Sequence, residues 1–100
     1  MALIIKESNQ IIEVWGNLNS QNINSLSRHL ELSRRRKEFL VLSLDHIDHI
    51  DELSTKILEQ QYCNTAASNK VLSIIGRENE SVKQVMRQTK TTYILSNDRI

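Results

Sequence analysis

The stretch FLVLSLDHIDHIDELSTKIL, residues 39–58, is the most informative part of this chain. It joins an almost unbroken apolar segment to an acidic segment that repeats Asp-His-Ile, and then to a segment with helical spacing. An unbroken apolar run is typical of a strand that is buried on both faces of a parallel or mixed sheet. We therefore predict a central strand over Phe39–Leu44, an acidic turn over Asp45–Asp51 and a helix over Glu52–Ala67.

The segments before this stretch predict two strands and a helix. Ala2–Glu7 and Ile11–Gly16 are rich in Ile, Val and Trp, and the polar Ser8-Asn9-Gln10 separates them, as expected for an antiparallel pair. The segment Asn17–Asn22 is dense in residues whose side chains accept hydrogen bonds from free helix N–H groups, and a helical apolar pattern follows it. We expect this first helix to end at about Lys37.

The segments after residue 67 predict a strand, a helix and a final strand. Val71–Ile75 is a short apolar run, helical spacing follows Asn79, and Thr91–Leu95 is again apolar. The resulting order, β-β-α-β-α-β-α-β, predicts an α/β domain with right-handed crossovers. We expect a mixed, mostly parallel sheet of about five strands packed with three helices.

Composition limits the class of protein. One hundred residues with 39% hydrophobic content correspond to a single domain over residues 1–100. A net charge of +1, from 13 basic and 12 acidic residues, gives no global field for nucleic acid or an anionic membrane. The lone Cys63 excludes an intramolecular disulfide, and no signal segment or apolar run of about 20 residues is present. We expect a soluble, cytoplasmic protein with no direct membrane insertion.

The acidic segment contains residue types that bind metals. A metal-binding sensor or enzyme built on His46 and His49 is therefore one hypothesis. A closed zinc site needs ligands that converge from several segments, whereas neighbours on one short extended turn diverge. The alternative, which we prefer, is that Ile47 and Ile50 anchor the segment in the core while its polar residues face water. We therefore assign no metal.

The start of the second helix has a structural interpretation of its own. Asp51 can accept hydrogen bonds from the free N–H groups of the helix, and Glu52 complements the positive end of its dipole. Ser54 and Thr55 lie in the same first turn, where the helix terminus favours an added phosphate and the adjacent carboxylates oppose it.

No set of residues predicts catalysis. Cys63 lies in mid-helix among polar residues, and His29 has no identified partner. The chain has no Gly-rich phosphate loop and no Gly-x-Ser-x-Gly motif. The basic block Arg34–Lys37 ends the first helix, where cations favour the negative end of the dipole, and no aromatic residue accompanies it. We expect a protein that is not an enzyme, needs no cofactor and does not bind nucleic acid.

The segment Trp15–Leu18, the polar helix start after it and the segment Leu42–Leu58 together resemble the STAS domain of bacterial anti-sigma factor antagonists. In that family a strand of the form L-D-L-S-x-V-x-F-I-D-S-S-G-L leads into a helix, and Leu42–Thr55 here reads LSLDHIDHIDELST. The resemblance covers nearly the whole chain, and the residues that agree are Leu42, Leu44, Ile47, Ile50 and Asp51.

The resemblance implies a mechanism of partner switching. A family member docks on a kinase-like anti-sigma factor, is phosphorylated on a serine at the helix start and then releases its partner. A phosphate in the contact surface adds repulsion and desolvation cost that the hydroxyl does not. Here Glu52 and Leu53 replace the two family serines, and Ser54 replaces the glycine. By the resemblance, Leu53 stands at the usual phosphoacceptor position. Either the phosphoacceptor has moved to Ser54 or Thr55, or the domain binds its partner without a phosphate switch, which we favour.

We therefore predict a binding module whose partner is an anti-sigma factor or another kinase-like regulator. A second hypothesis is an accessory subunit of an ABC-type lipid transporter, in which the partner is the ABC ATPase. The family commonly ends with a fourth helix, and the shorter end here would leave room for a partner or for a homodimer. The predicted partner-binding residues lie in a loop and at the strand-to-helix junction: Asn19, Ser20, Asn22, Asp48, His49, Asp51, Glu52, Leu53, Ser54 and Thr55.

Overall fold

A computed structural model describes residues 3–9 and 11–96 of the chain. In this part the sheet has four strands in the order β1-β2-β3-β4, and three α-helices follow β2, β3 and β4. The α/β class and the order of these elements agree with the sequence-based prediction. The strands are β1 Ile4–Ser8, β2 Ile11–Leu18, β3 Phe39–Ile50 and β4 Val71–Ile75, and the helices are α1 Ile23–Arg36, α2 Glu52–Ala67 and α3 Glu80–Thr89.

The sheet is mixed, with one antiparallel pair. β1 pairs antiparallel with β2, whereas β2, β3 and β4 are parallel neighbours. From β2 onwards, each connection leads to the next strand in the same direction across the sheet. Right-handed connections of this kind place their helices on the same side, so α1, α2 and α3 share one face of the sheet. On that face Ile12, Val14 and Leu18 of β2 are completely buried. On the opposite face Ile11 is 44% exposed, so β2 alternates between a buried and a partly solvated side.

β3 is longer than the sequence predicted. The prediction of a turn over Asp45–Asp51 is wrong, because β3 continues to Ile50. The added residues pair with β2, since His46 lies opposite Trp15 and His49 lies opposite Asn17. The register of this pair shifts twice, which lets one strand hold more residues than the other.

A glycine allows one of these register shifts. Gly16 has a φ of 99°, a conformation that residues with a Cβ rarely adopt, and the second shift lies between Gly16 and Asn17. The preferred interpretation of the acidic segment was that Ile47 and Ile50 anchor it in the core. Their burial confirms this, although the segment is part of a strand instead of a turn. Ile47 and Ile50 are 3% and 6% exposed, whereas the intervening Asp48 faces solvent.

The predicted last strand over Thr91–Leu95 is also wrong in detail. The segment forms a short 3-10 helix over Thr92–Ile94, and Leu95 joins β4 through one isolated parallel bridge to Ile74. The cause is local, because the N–H of Thr91 donates to the carbonyl of Met86 at 2.9 Å and turns the chain at the end of α3. Within the described residues the sheet therefore has four strands and a bridge instead of about five strands.

The helix boundaries were predicted closely. α2 has the predicted limits, and α1 ends at Arg36, one residue before the expected end. Ala2 and Gln10, which we assigned to the first strand and the first turn, lie outside the described residues. Within the described ranges, every helix falls short of the length and apolar character that a bilayer span requires.

Candidate partner-binding site

The predicted site residues come together where the parallel strands end. Because β2 and β3 are parallel, the loop after β2 and the start of α2 lie at the same edge of the sheet. The N–H of Asp51 donates to the carbonyl of Leu18 at 3.1 Å, which joins the two segments directly. We call residues 19–22 and 48–55 the junction.

Asp51 organises the junction through both of its carboxylate oxygens. Oδ1 accepts from the N–H of Ser54 at 2.8 Å, which confirms the predicted cap of α2. Oδ2 accepts from the N–H of Ser20 at 2.9 Å. Burial alone would raise the pKa of Asp51, but the hydrogen bonds from Ser54 and Ser20 outweigh it and lower the pKa below its ordinary value. The charged carboxylate therefore fixes the loop and the helix start together.

The polar loop before α1 is held by its own side chains. Asn22 Oδ1 accepts from the N–H of Asn19 at 2.9 Å, and Asn22 Nδ2 donates to the carbonyl of Asn17 at 2.8 Å. The expectation that these side chains cap α1 is wrong, because Asn22 occupies the cap position without a side-chain bond to the helix. The reason is that its amide is already used within the loop. Ser20 remains exposed at the tip.

The first turn of α2 presents one apolar side chain to solvent and turns two hydroxyls inward. Leu53 is 51% exposed, whereas Ser54 and Thr55 are both 0% exposed. Thr55 Oγ1 donates to the carbonyl of Glu52 at 2.7 Å and lies 2.8 Å from Thr89 Oγ1 on α3. Ser54 Oγ is buried and has no hydrogen-bond partner among the described residues. Neither of the two candidate phosphoacceptors is accessible in this structure.

The end of β3 exposes the remaining predicted residues. Asp48 and His49 face solvent beside the helix start. His46 stacks on Trp15, with ring centroids 4.8 Å apart and an interplanar angle of 5°. Among residues 3–9 and 11–96, no three His, Cys, Asp or Glu side chains lie close enough together to hold a metal ion.

Asn79 is a structural residue of this region that the sequence reasoning passed over. Its Oδ1 accepts from the N–H of Val82 at 3.3 Å and caps α3. Its Nδ2 donates to the carbonyls of Leu44 and Ile47, at 2.9 and 2.8 Å. Asn79 thereby fastens the extended end of β3 to α3. An Asn just before a helical pattern is a sequence signal for a cap, but the bonds to β3 depend on tertiary structure.

A cleft lies beside the junction. It has a volume of about 500 Å³ and is open to solvent, between the end of β3 and the start of α3. Its walls carry acidic side chains and the His46 ring, so the surface next to the junction is negatively charged. The lining residues include Trp15, Asp45, His46, Asp48, Glu78 and Glu80.

The fold and this site define a class of protein: an α/β domain whose helices cover one face of a mixed sheet and whose strand-to-helix junction is exposed. The sequence model of the STAS domain matches residues 1–96. The chain therefore belongs to the STAS domain family. No curated protein matches the chain.

Solved structures share this fold at low sequence identity. The anti-sigma factor antagonist SpoIIAA in its unphosphorylated form has a TM-score of 0.75 and 8% identity, covering 98% of this chain and 89% of that chain. An anti-sigma factor antagonist from Mycobacterium paratuberculosis has a TM-score of 0.74 and 12% identity, covering 94% and 81%. The phosphorylated form of SpoIIAA, a Bacillus cell fate determinant, has a TM-score of 0.67 and 6% identity, covering 98% and 92%. At these identities the likeness concerns the fold alone.

Proposed function

We propose that this chain is a non-enzymatic protein-binding module of the anti-sigma factor antagonist kind. It acts in the bacterial cytoplasm and docks on a kinase-like regulatory partner through the junction. The observation that carries the proposal is the exposure of Leu53, at the position where the family has its phosphoacceptor serine. An exposed apolar side chain on a rigid helix start is suited to binding and offers no group for catalysis.

The junction has the composition of a contact surface. Leu53 supplies an apolar centre, and the exposed Asp48, His49 and Glu52 surround it with polar groups. Protein interfaces commonly combine an apolar centre with a polar rim. Because Asp51 bonds to both the loop and the helix, the surface is ordered before binding and loses little conformational entropy when a partner docks.

The same geometry supports the loss of the phosphate switch. Leu53 has no hydroxyl, and the hydroxyls of Ser54 and Thr55 are buried against the rest of the domain. A kinase would have to open the first turn of α2 before it could reach either side chain. We therefore propose that the chain binds its partner constitutively.

Where the neighbouring genes encode a kinase-like regulator, the contact surface is tested by the affinity of this chain for that protein. Glu52→Lys together with Leu53→Asp should weaken binding about 30-fold or more, since loss of an interface hot spot costs at least about 2 kcal/mol. A matched control exists on α1, where Glu31 and the half-exposed Leu32 form the same dipeptide. Glu31→Lys with Leu32→Asp should bind as the wild type does, and equal weakening by both pairs would refute the surface.

If the neighbouring genes encode an ABC-type lipid transporter, the ABC ATPase replaces the kinase-like protein in this titration. The lost switch is tested separately by intact mass spectrometry after incubation with the kinase-like partner and ATP. The wild type should gain no phosphate, whereas Leu53→Ser should gain one, because it places a hydroxyl at the exposed position. Stoichiometric phosphate on wild-type Ser54 or Thr55 would overturn the proposed loss.

A further inference from the structure

The charged residues of this chain are segregated along the strand direction. We call the edge where β2, β3 and β4 end the carboxyl edge, and the edge where β3 and β4 begin the amino edge. The carboxyl edge carries the acidic residues Asp45, Asp48, Asp51, Glu52, Glu78 and Glu80. The amino edge carries the basic residues Arg34, Arg35, Arg36, Lys37, Lys70 and Lys90. The six acidic and six basic residues of these two patches cancel within the net charge of +1.

Part of each patch is available for contact with another molecule. At the amino edge, Arg34 bonds to Gln61 and Thr65, and Lys37 bonds to Glu7. In the described residues, the exposed Arg35 and Arg36 have no acidic partner. At the carboxyl edge, the exposed acidic residues include Asp48 and Glu52. Each edge also carries charge of the opposite sign. Arg77 is exposed at the carboxyl edge, where Glu80 is paired with Lys83 and Arg87, and Glu38 is exposed at the amino edge.

Each edge also exposes apolar surface. At the amino edge, Phe39 and Val71 are paired across β3 and β4, project from the sheet face that the helices leave open, and are 37% and 53% exposed. At the carboxyl edge, Leu53 is 51% exposed. The two edges therefore both expose apolar side chains and are opposite in charge, which is the combination that contact surfaces require.

We propose that copies of this chain associate head to tail, with the amino edge of one copy on the carboxyl edge of the next. Phe39 and Val71 then face Leu53, while Arg35 and Arg36 face the acidic residues of the junction. Because the contact joins two different patches, it is heterologous and continues from copy to copy. If the proposed function also holds, self-association covers the junction and competes with the partner.

The contribution of charge makes the association sensitive to salt. The Debye length falls from about 30 Å at 0.01 M salt to about 3 Å at 1 M, so attraction between exposed patches is largely lost at high salt. Sedimentation at rising protein concentration should show a weight-average mass at least twice that of the monomer in low salt, and a return towards the monomer in high salt. A wild type that stays monomeric in low salt at every concentration would overturn the proposal.

Two edge variants distinguish a heterologous contact from a symmetric one. Arg35→Ala with Arg36→Ala removes the amino-edge charges, and Asp48→Ala with Glu52→Ala removes the carboxyl-edge charges. Each double variant should be monomeric by itself, because its self-contact lacks one charged side. A mixture should form a one-to-one dimer, since each variant retains one intact edge. A mixture that stays monomeric would refute the head-to-tail arrangement.

A matched control changes the net charge away from both edges. Arg28→Glu lowers the net charge by the same two units at an exposed position within α1, and it should self-associate as the wild type does. Loss of association in this control would show that net charge alone is responsible and would overturn the assignment to the edges. Circular dichroism of every variant verifies the fold. These measurements use this chain alone, so their failure is distinguishable from failure of the partner titration.

Discussion

The carboxylate of Asp51 binds the main chain of Ser20, with 2.9 Å between Asp51 Oδ2 and the Ser20 nitrogen, although 31 residues separate them in sequence. Through Oδ1 the same carboxylate also caps α2. One side chain therefore fixes the distance between the loop after β2 and the start of α2. These are the two segments from which the junction is built.

Asp51→Ala should destabilise the domain by about 2 to 4 kcal/mol, since it removes a helix cap worth about 1 kcal/mol and a second hydrogen bond to a charged group. Urea denaturation measures the loss. Asp48→Ala, at an exposed position on the same edge, is the control and should stay within about 0.5 kcal/mol of the wild type. Equal stability of the two variants would contradict the role given to Asp51.

Glu7 makes the stability depend on pH. The hydrogen bond from Lys37 lowers the pKa of Glu7, burial opposes this effect, and His29 adds to the lowering. A carboxylate whose pKa is lowered by folding stabilises the protein above its unfolded pKa of about 4.3 and loses this contribution as the pH falls through the folded value. Stability should therefore decline as the pH falls below about 4.3, the upper end of this window.

The variant Glu7→Gln tests this contribution. Its stability should fall less steeply with acid than that of the wild type, because its side chain does not titrate. Lys37→Met should also flatten the dependence, since it removes the main cause of the lowered pKa. Asp51 leaves a residual slope in both variants. Unfolding curves at several pH values measure the slopes, and unchanged slopes in both variants would be evidence against the effect.

Asn79 should matter both as a cap and as a donor to β3. Asn79→Ala should cost about 2 to 4 kcal/mol, because it removes the cap and leaves two partly buried carbonyls of β3 without their donor. Asn79→Asp separates the two roles, since a carboxylate still caps α3 but cannot donate to Leu44 and Ile47. We expect Asn79→Asp to remain clearly destabilised in urea denaturation. Full stability of Asn79→Asp would show that only the cap matters. Asn64→Ala, at an exposed site on α2, is the control and should leave the stability within about 0.5 kcal/mol of the wild type.

The two buried hydroxyls of the junction should differ in what they contribute to stability. Ser54→Ala removes a buried hydroxyl that makes no hydrogen bond within the described residues, although it helps to lower the pKa of Asp51, so stability should change by no more than about 1 kcal/mol. Thr55→Val removes the bonds to Glu52 and Thr89, so stability should fall by about 1 to 2 kcal/mol. Thermal unfolding of both variants measures the difference. A larger loss for Ser54→Ala than for Thr55→Val would contradict these contacts.

Several features of the fold could be predicted because their causes are local in sequence. The limits of α2 follow from its helical apolar spacing and from a cap residue immediately before it, and both signals lie within the segment itself. The buried inner strand β3 could be predicted because a run of consecutive apolar residues is typical of a strand that is covered on both faces of the sheet. The inward orientation of Ile47 and Ile50 could also be predicted, because both are apolar and their neighbours in sequence are polar.

The candidate site could be predicted only in outline. The sequence indicated which residues meet at the junction and assigned Leu53 to the partner-binding surface, but it did not reveal that Ser54 and Thr55 face inward. Hydroxyl side chains are common on protein surfaces, so their residue type favours exposure. Their burial depends on where α3 packs, because Thr89 Oγ1 on that helix lies within hydrogen-bonding distance of Thr55 Oγ1.

The chain by itself determined the order of its strands and helices and the places where its helices begin, since apolar periodicity and capping act over a few residues. Tertiary structure alone decided that β3 runs on through His46 and His49, because the gain comes from pairing with β2, about 30 residues earlier. It also decided that acidic and basic residues collect at opposite edges, because parallel strands bring distant segment ends to the same side of the sheet.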